Sequence, residues 1–329
     1  MYHIITTKNE MIFMTKTTFK QPLLDHNSPE FKTAKQAETA LFNVYNLTGT
    51  DTYYQLPDSD MRVRVTEIGS GTPIFIVPGN TGDGFPFSSL IGHMGNHHFY
   101  LFNRPGGGLS DGIDLTKLPD IRQFVVDTID TVLNDLHLDR VPIMAHSMGC
   151  HWALWYALAH PERVSKLILI GNPGRVMLGK TPAPLKVLTL PGLDKIVSKR
   201  LIPKNQDQAF NGLKLMGTNK ETLATLPNEL REAYLRFEHL PNYSVSTLSL
   251  LKTLTVNPKY EIKAADLAQI QCPTLMLWGE NDTFASVDKG REIGNALPDN
   301  RFHLVKDAGH MPWLDRPEEC AGQVELFLQ

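Results

Sequence analysis

Between an apolar run, Val141-Pro-Ile-Met-Ala145, and an apolar segment beginning near Cys150 stands Ala145-His146-Ser147-Met148-Gly149. A serine flanked two residues away on each side by small residues, between a strand and a helix, sits on a sharp turn with its hydroxyl exposed. Alanine takes the first small position, where glycine is commoner, and still fits. A serine hydroxyl is a poor nucleophile near neutral pH, so it needs a base within hydrogen-bond reach and a third group to orient that base. Trp278-Gly-Glu-Asn-Asp282 places a carboxylate just past an apolar strand, and Lys306-Asp-Ala-Gly-His-Met311 places His310 in a loop past the last strand. Glu280 and Asp307 are rival carboxylates. Gly171-Asn172, after another strand, offers none. The chemistry expected is nucleophilic attack by Ser147 with His310 as base and Asp282 as orienter.

These side chains need a scaffold that delivers them to one place. Val63 and Val65 alternate with charged neighbours in Arg62–Ile68, which predicts a half-exposed strand. Pro73–Val77, His98–Phe102, Val141–Ala145, Val164–Ile170, Pro273–Trp278 and Arg301–Val305 are short apolar runs, as in strands covered on both faces. Ile121, Phe124, Val125, Ile129, Val132, Leu133 and Leu136 recur at helical spacing. Cys150–Ala159 is almost wholly apolar and predicts a central helix, stopped by His160-Pro161. This alternation predicts an α/β fold with a mostly parallel sheet and helices on both faces. After Pro173 about ninety proline-punctuated, amphipathic residues intervene, with Leu230, Ala233, Tyr234 and Phe237 on one helical face. They predict an inserted helical cap over the sheet's carboxyl edge, where open α/β folds bind ligands. The expected division is an extension over 1–52, the core over 53–172, the cap over 173–263 and the rest of the core over 264–329. Within the extension, 37–45 reads as a short helix packed on the surface.

Five motifs in this order resemble the α/β-hydrolase fold family, over about residues 53 to 329. Asn103-Arg-Pro-Gly-Gly-Gly-Leu-Ser-Asp111 resembles the family's D-R-P-G-x-G-x-S loop, with asparagine for its first aspartate. Pro78-Gly79-Asn80 stands where the family has His-Gly and an oxyanion-hole residue. The serine turn, Gly-Glu-Asn-Asp282 and Gly-His310 match its nucleophile, acid and base motifs. The resemblance implies a Ser147–His310–Asp282 triad with the chain order Ser, Asp, His. It also implies an oxyanion hole from the backbone amides of Asn80 and Met148, the latter at a helix N-terminus. His146, Tyr234 and Phe237 are expected near the substrate pocket, with Tyr243 beside them as packing. Arg104 is expected to brace loops, and Cys150 to fill the core.

Composition narrows the class. A net charge of −3 over 329 residues gives no reason to expect nucleic acid as a partner. Three cysteines, Cys150, Cys272 and Cys320, lack metal-ligand spacing and read as free thiols of a reducing, cytoplasmic setting. No run approaches the roughly 18 apolar residues of a membrane span. The glycines at 106–108 lack the spacing of a dinucleotide loop, and no cofactor or metal is expected. The basic run Arg175, Lys180, Lys186, Lys195, Lys199, Arg200 and Lys204 reads as a solvated helical face. The expected activity is hydrolysis of a small to medium apolar carboxylic ester or lactone through an acyl-enzyme. Carbon–carbon bond hydrolysis, amide hydrolysis and a non-catalytic small-molecule receptor are the alternatives, and the oligomeric state is open.

Overall fold

The two-residue alternation of apolar side chains is realised in one eight-stranded sheet. A computed structural model describes residues 23–57, 59–171, 173–177 and 202–329. The strands are β1 (Gly49–Gln55), β2 (Arg62–Gly69), β3 (Thr72–Val77), β4 (His97–Asn103), β5 (Val141–His146), β6 (Val164–Ile170), β7 (Thr274–Gly279) and β8 (Asn300–Val305). They lie in the order β1-β2-β4-β3-β5-β6-β7-β8. Only β2 runs against its neighbours; the rest are parallel. The carboxyl ends of β3 to β8 therefore share one edge. The chain winds from β3 out to β4 and returns to β5 on the other side of β3, so that edge has its topological switch point between β3 and β5. A crevice opens at such a point because the flanking connections diverge.

Successive residues of each strand serve opposite faces. Phe75, Val77, Ile143, Ala145, Leu167 and Leu169 pack on one side with helices α2 (Ile121–Asp135) and α3 (Met148–Ala159). Ile74, Ile76, Met144, Ile168 and Ile170 pack on the other. Helix α3 is the central one that its composition predicts, with Trp152, Leu154 and Tyr156 fully buried. Between β6 and β7 stand α4 (Gln206–Leu215), α5 (Lys220–Thr225), α6 (Asn228–Glu238) and α7 (Tyr243–Val256). Leu250 and Leu254 of α7 join the first core, whereas Phe210, Leu230, Ala233, Tyr234 and Phe237 join the second. Most of the basic run over 175–204 lies outside the described residues.

The N-terminal segment departs from expectation. The helix, α1, runs from Pro29 to Val44, not 37–45, and is no surface appendage. Ser28 caps it by accepting the Phe31 amide (3.2 Å), and Pro29 opens its first turn, where the missing N–H costs nothing. Leu41 and Phe42 are buried in the second core. Glu38, also buried, pairs with the fully buried Arg64 of β2. Strand β1 begins at Gly49 and so straddles the expected 52/53 division. Its Gly-Thr-Asp-Thr-Tyr-Tyr-Gln sequence has no apolar alternation because, at the sheet edge, it is half exposed.

Candidate active site

Asn80, Arg104, Ser147, Asp282 and His310 each sit past the carboxyl end of a strand. Ser147 follows β5 directly and has φ 52°, ψ −125°. That left-handed backbone is strained for any residue with a Cβ, and it holds the side chain clear of strand and helix. The turn persists because it is anchored: Ser147 N–H donates to Ile170 O (3.0 Å) and Ser147 O accepts the Cys150 amide (2.9 Å). Gly149 explains itself by contact, since a Cβ there would run into the carbonyl oxygens of Val77 and Pro78. Helix α3 can approach β3 that closely only with glycine at this point.

The structure brings Ser147, His310 and Asp282 together. His310 Nδ1 lies 2.7 Å from Asp282 Oδ2, and its Nε2 lies 2.8 Å from Ser147 Oγ. A carboxylate can only accept, so Nδ1 carries the proton and Nε2 is left to accept from the serine hydroxyl. The other Asp282 oxygen accepts the Phe284 amide (2.8 Å), which fixes the carboxylate's rotation. The acid and the ring are shielded, Asp282 being 9% and His310 2% exposed, while Ser147 is partly open to solvent. The rival acids are elsewhere. Glu280 is exposed and accepts the Asp307 amide (3.1 Å), while Asp307 is exposed and faces Arg316. Gly171, at the end of β6, has φ +69°, and a Cβ there would press on the His310 carbonyl (2.7 Å) and ring (3.0 Å). The position that lacks a carboxylate is thus the floor on which the histidine rests.

Met148 follows Ser147 directly, and Asn80 follows Gly79, which packs on the serine. Met148 opens α3, where amides lack intrahelical acceptors and the helix dipole favours negative charge. Gly79 lies against the turn, since a Cβ there would meet Ser147 Cβ at 3.3 Å. Arg104 braces this loop, as its sequence position suggests, donating to the carbonyls of Pro78, Gly79 and Asn80. His146 is buried behind the site. Burial and the neighbouring His310 hold its pKa well below the usual value, so it is neutral and its Nε2 meets His310 O at 3.2 Å. Tyr234 reaches Met311 Sδ with its hydroxyl (3.7 Å), one residue from His310. Phe237 packs against Phe85, with centroids 4.7 Å apart. Tyr243 hydrogen-bonds Glu238, whose carboxyl burial and the nearby Asp83 push up to about 8. Asp83 itself is pushed up to about 6 by burial.

Sequence reasoning missed three contributors. Phe284 lies against the His310 ring (centroids 4.5 Å); its signal was its place two residues after the acid. Trp313 packs edge-on against His146 (4.9 Å). The turn 215–218 is the third. His310 N–H donates to Met216 O (2.9 Å), and Thr283 Oγ1 donates to Leu215 O (2.8 Å). One turn of the helical insertion thereby holds both the acid loop and the histidine loop. No local signal announces such a contact.

Comparison with known proteins agrees with this architecture. A family model described as alpha/beta hydrolase fold matches residues 72–317. Among curated relatives, a 2-hydroxy-6-oxononadienedioate/2-hydroxy-6-oxononatrienedioate hydrolase of Pseudomonas putida is 28% identical over 283 residues, covering 82% of this chain and 92% of its own. Its counterpart in Paraburkholderia phymatum is 29% identical over 286 residues, covering 82% and 92%. Among solved structures, a carboxylesterase of Bacillus subtilis superposes with a TM-score of 0.68 at 16% identity, covering 92% of this chain and 99% of its own. A meta-cleavage product hydrolase reaches 0.66 at 16% identity, covering 84% and 97%. With three quarters of its length inside the family model and the switch-point crevice built as described, the chain belongs to the α/β-hydrolase fold family and is a hydrolase.

Proposed function

We propose that this hydrolase cleaves uncharged carboxylic esters or lactones through a covalent acyl-serine at Ser147. The observation that carries the reading is the continuous hydrogen-bonded series from Ser147 Oγ through the His310 ring to Asp282. Ser147 Oγ attacks the ester carbonyl carbon while its proton passes to His310 Nε2. Asp282 keeps the ring in one tautomer and stabilises the imidazolium. The negative charge that develops on the carbonyl oxygen is received by the amides of Asn80 and Met148, contributing on the order of several kcal/mol to the transition state. Collapse expels the alcohol, which takes the proton from Nε2 and leaves the acyl group on Ser147. Water then repeats the sequence: its proton goes to Nε2, the carboxylic acid departs, and the proton returns to Oγ.

The helices α4 to α7 act as the cap that closes the crevice in this reading, with Tyr234 and Phe237 on its apolar side. The carboxyls of Asp83 and Glu238 act on each other and on the Tyr243 phenol beside them, and Asp83 also acts on Tyr234. The apolar faces of Tyr234 and Phe237, both packed in the second core, support a neutral, apolar substrate. A second reading, carbon–carbon bond hydrolysis of a diketone, is favoured by the curated relatives, whose names specify dienedioates.

One experiment separates the readings. Purified protein is given short-chain nitrophenyl esters, lactones and a carboxylate-bearing vinylogous diketone, with Ser147→Ala as control. The expected result is a burst of nitrophenol, covalent labelling of Ser147 by a fluorophosphonate and a kcat/KM for neutral esters well above that for the diketone. The reverse preference would assign the carbon–carbon reaction. Folded protein that takes no label would instead be a binding module.

A further inference from the structure

The buried Arg104 guanidinium holds three successive carbonyl oxygens of one loop. It leaves the carboxyl end of β4 and is 2% exposed. Its Nε donates to Pro78 O (3.1 Å) and Gly79 O (3.0 Å); its Nη2 donates to Gly79 O and to Asn80 O (2.7 Å). The guanidinium lies over the Trp152 ring, 4.8 Å from its centroid. Behind it the main chains touch: a Cβ on Gly107 would collide with Gly82, and Arg104 N–H donates to Gly82 O (3.2 Å). The Asn103-Arg-Pro-Gly-Gly-Gly108 loop is therefore the backing of the Pro78-Gly79-Asn80 loop.

The peptide geometry gives this clamp a direction. Among the described residues there are no cis peptide bonds. In a trans peptide the C=O of one residue and the N–H of the next point opposite ways. With Gly79 O drawn toward Arg104, the Asn80 N–H must face away from it. Gly79 packs on Ser147, a Cβ there lying 3.3 Å from the serine Cβ. The charge matters as well as the shape. Among the described residues Arg104 makes no ion pair, and burying an unpaired charge is costly. Neutral donors would suffice to tie down a loop. Asp83, the nearest acid, acts on it only through space and gives one oxygen to the Thr81 hydroxyl (2.6 Å). A guanidinium stays protonated in this setting. It polarises the Gly79–Asn80 peptide so that the N–H becomes a stronger donor, and its charge gains a further compensating partner when an oxyanion forms beyond that peptide.

We propose that Arg104 is a positioning residue for the oxyanion hole, aiming and electrostatically reinforcing the Asn80 amide in the transition state. The inference rests on the serine-hydrolase reading, and the test keeps the two apart. Wild type and Arg104→Ala, Arg104→Gln and Arg104→Lys are compared for thermal unfolding, fluorophosphonate labelling, kcat and KM on a nitrophenyl ester, and affinity for a trifluoromethyl ketone. That ketone adds to Ser147 and places an oxyanion in the hole. Arg104→Ala is expected to lower kcat about 10²-fold, the scale of one lost oxyanion donor, with KM within about threefold. Affinity for the ketone should fall in parallel, and millimolar guanidinium should restore about tenfold of the lost rate. If the alanine variant does not fold, the lysine and glutamine variants decide: the lysine variant should exceed the glutamine variant at least about tenfold in kcat, because only it keeps the charge. Equal rates in those two, or unchanged ketone affinity in a folded variant, would overturn the proposal while wild-type labelling of Ser147 leaves the serine reading intact. Failure of wild type itself to label overturns the serine reading instead.

Discussion

Asp282 is set apart from its neighbours Glu280 and Asp307 by where its two oxygens go. One accepts the Phe284 amide and the other meets the His310 ring, whereas Glu280 accepts the Asp307 amide and Asp307 faces Arg316. Replacing Asp282 by asparagine presents a donor to Nδ1 and favours the wrong tautomer. Asp282→Asn should therefore lower kcat by about 10²–10⁴-fold while leaving the melting temperature nearly unchanged. Glu280→Gln and Asp307→Asn should be close to silent in the same assay; a loss at Glu280 comparable to that at Asp282 would reassign the acid. Glycines give a second comparison at this scale. Gly149→Ala forces a methyl group into two backbone oxygens that cannot yield, so the protein should be destabilised and its turnover should collapse. Gly212, exposed in the middle of α4, has nothing within 4 Å of a built Cβ. There the same change should stabilise by about 0.5–1 kcal/mol in a denaturant titration.

Two elements act outside their own neighbourhood. Helix α1 carries Glu38 into a four-charge group with Arg64, Lys35 and Asp51, balanced at two of each sign. Asn103 also accepts from Arg64 (3.1 Å), but as an amide it brings no charge. Glu38→Ala leaves two cations facing one anion in a buried site and should cost about 3 kcal/mol in urea denaturation. Burial of Leu41 and Phe42 contributes a further 3–6 kcal/mol or so, which makes the helix part of the domain. The turn after α4 is the other such element. Gly217 has φ +86° and its missing Cβ points at the Asn281 carbonyl, beside the acid. Gly217→Ala should push the acid loop outward and lower kcat more than it lowers stability, read by activity and melting on one sample. A melt loss without a rate loss would show that the insertion and the acid loop are uncoupled.

For the molecule as a whole, acid tolerance is limited by histidines buried as neutral rings. His151, on the nucleophile helix, has Nε2 2.8 Å from Tyr260 O, and burial draws its pKa down from about 6.5 to about 4. The sign follows directly. Above pH 6.5 neither state is protonated and the full stability is present. Between 6.5 and about 4 only the unfolded chain takes the proton, so stability is lost as pH falls. At pH 5 the loss assigned to His151 is about 2 kcal/mol. His151→Gln should flatten the fall in urea midpoint between pH 7.5 and 5.0, whereas an unchanged slope would show that the ring is not the limiting group. The same globular scale explains which expectations held. Strands β3 to β7 were legible because continuous apolar runs are required where a strand is covered on both faces, whereas β8, at the far edge, is half exposed and was read from its Phe302, Leu304 and Val305. The start of α1 was written in Ser28-Pro29-Glu30, but its apolar positions are too few for periodicity to announce it, and β1 lacks the alternation because it is an edge.

From sequence alone come the identity of the reacting groups, their order and the α/β alternation that carries them. These depend on residue type and local period, and both are local properties of the chain. Folding alone decided that an N-terminal helix supplies the counter-charge to Arg64 and that a turn of the insertion steadies two loops. Those contacts join residues far apart in the chain, and nothing in either partner's immediate sequence encodes which surface the other will present.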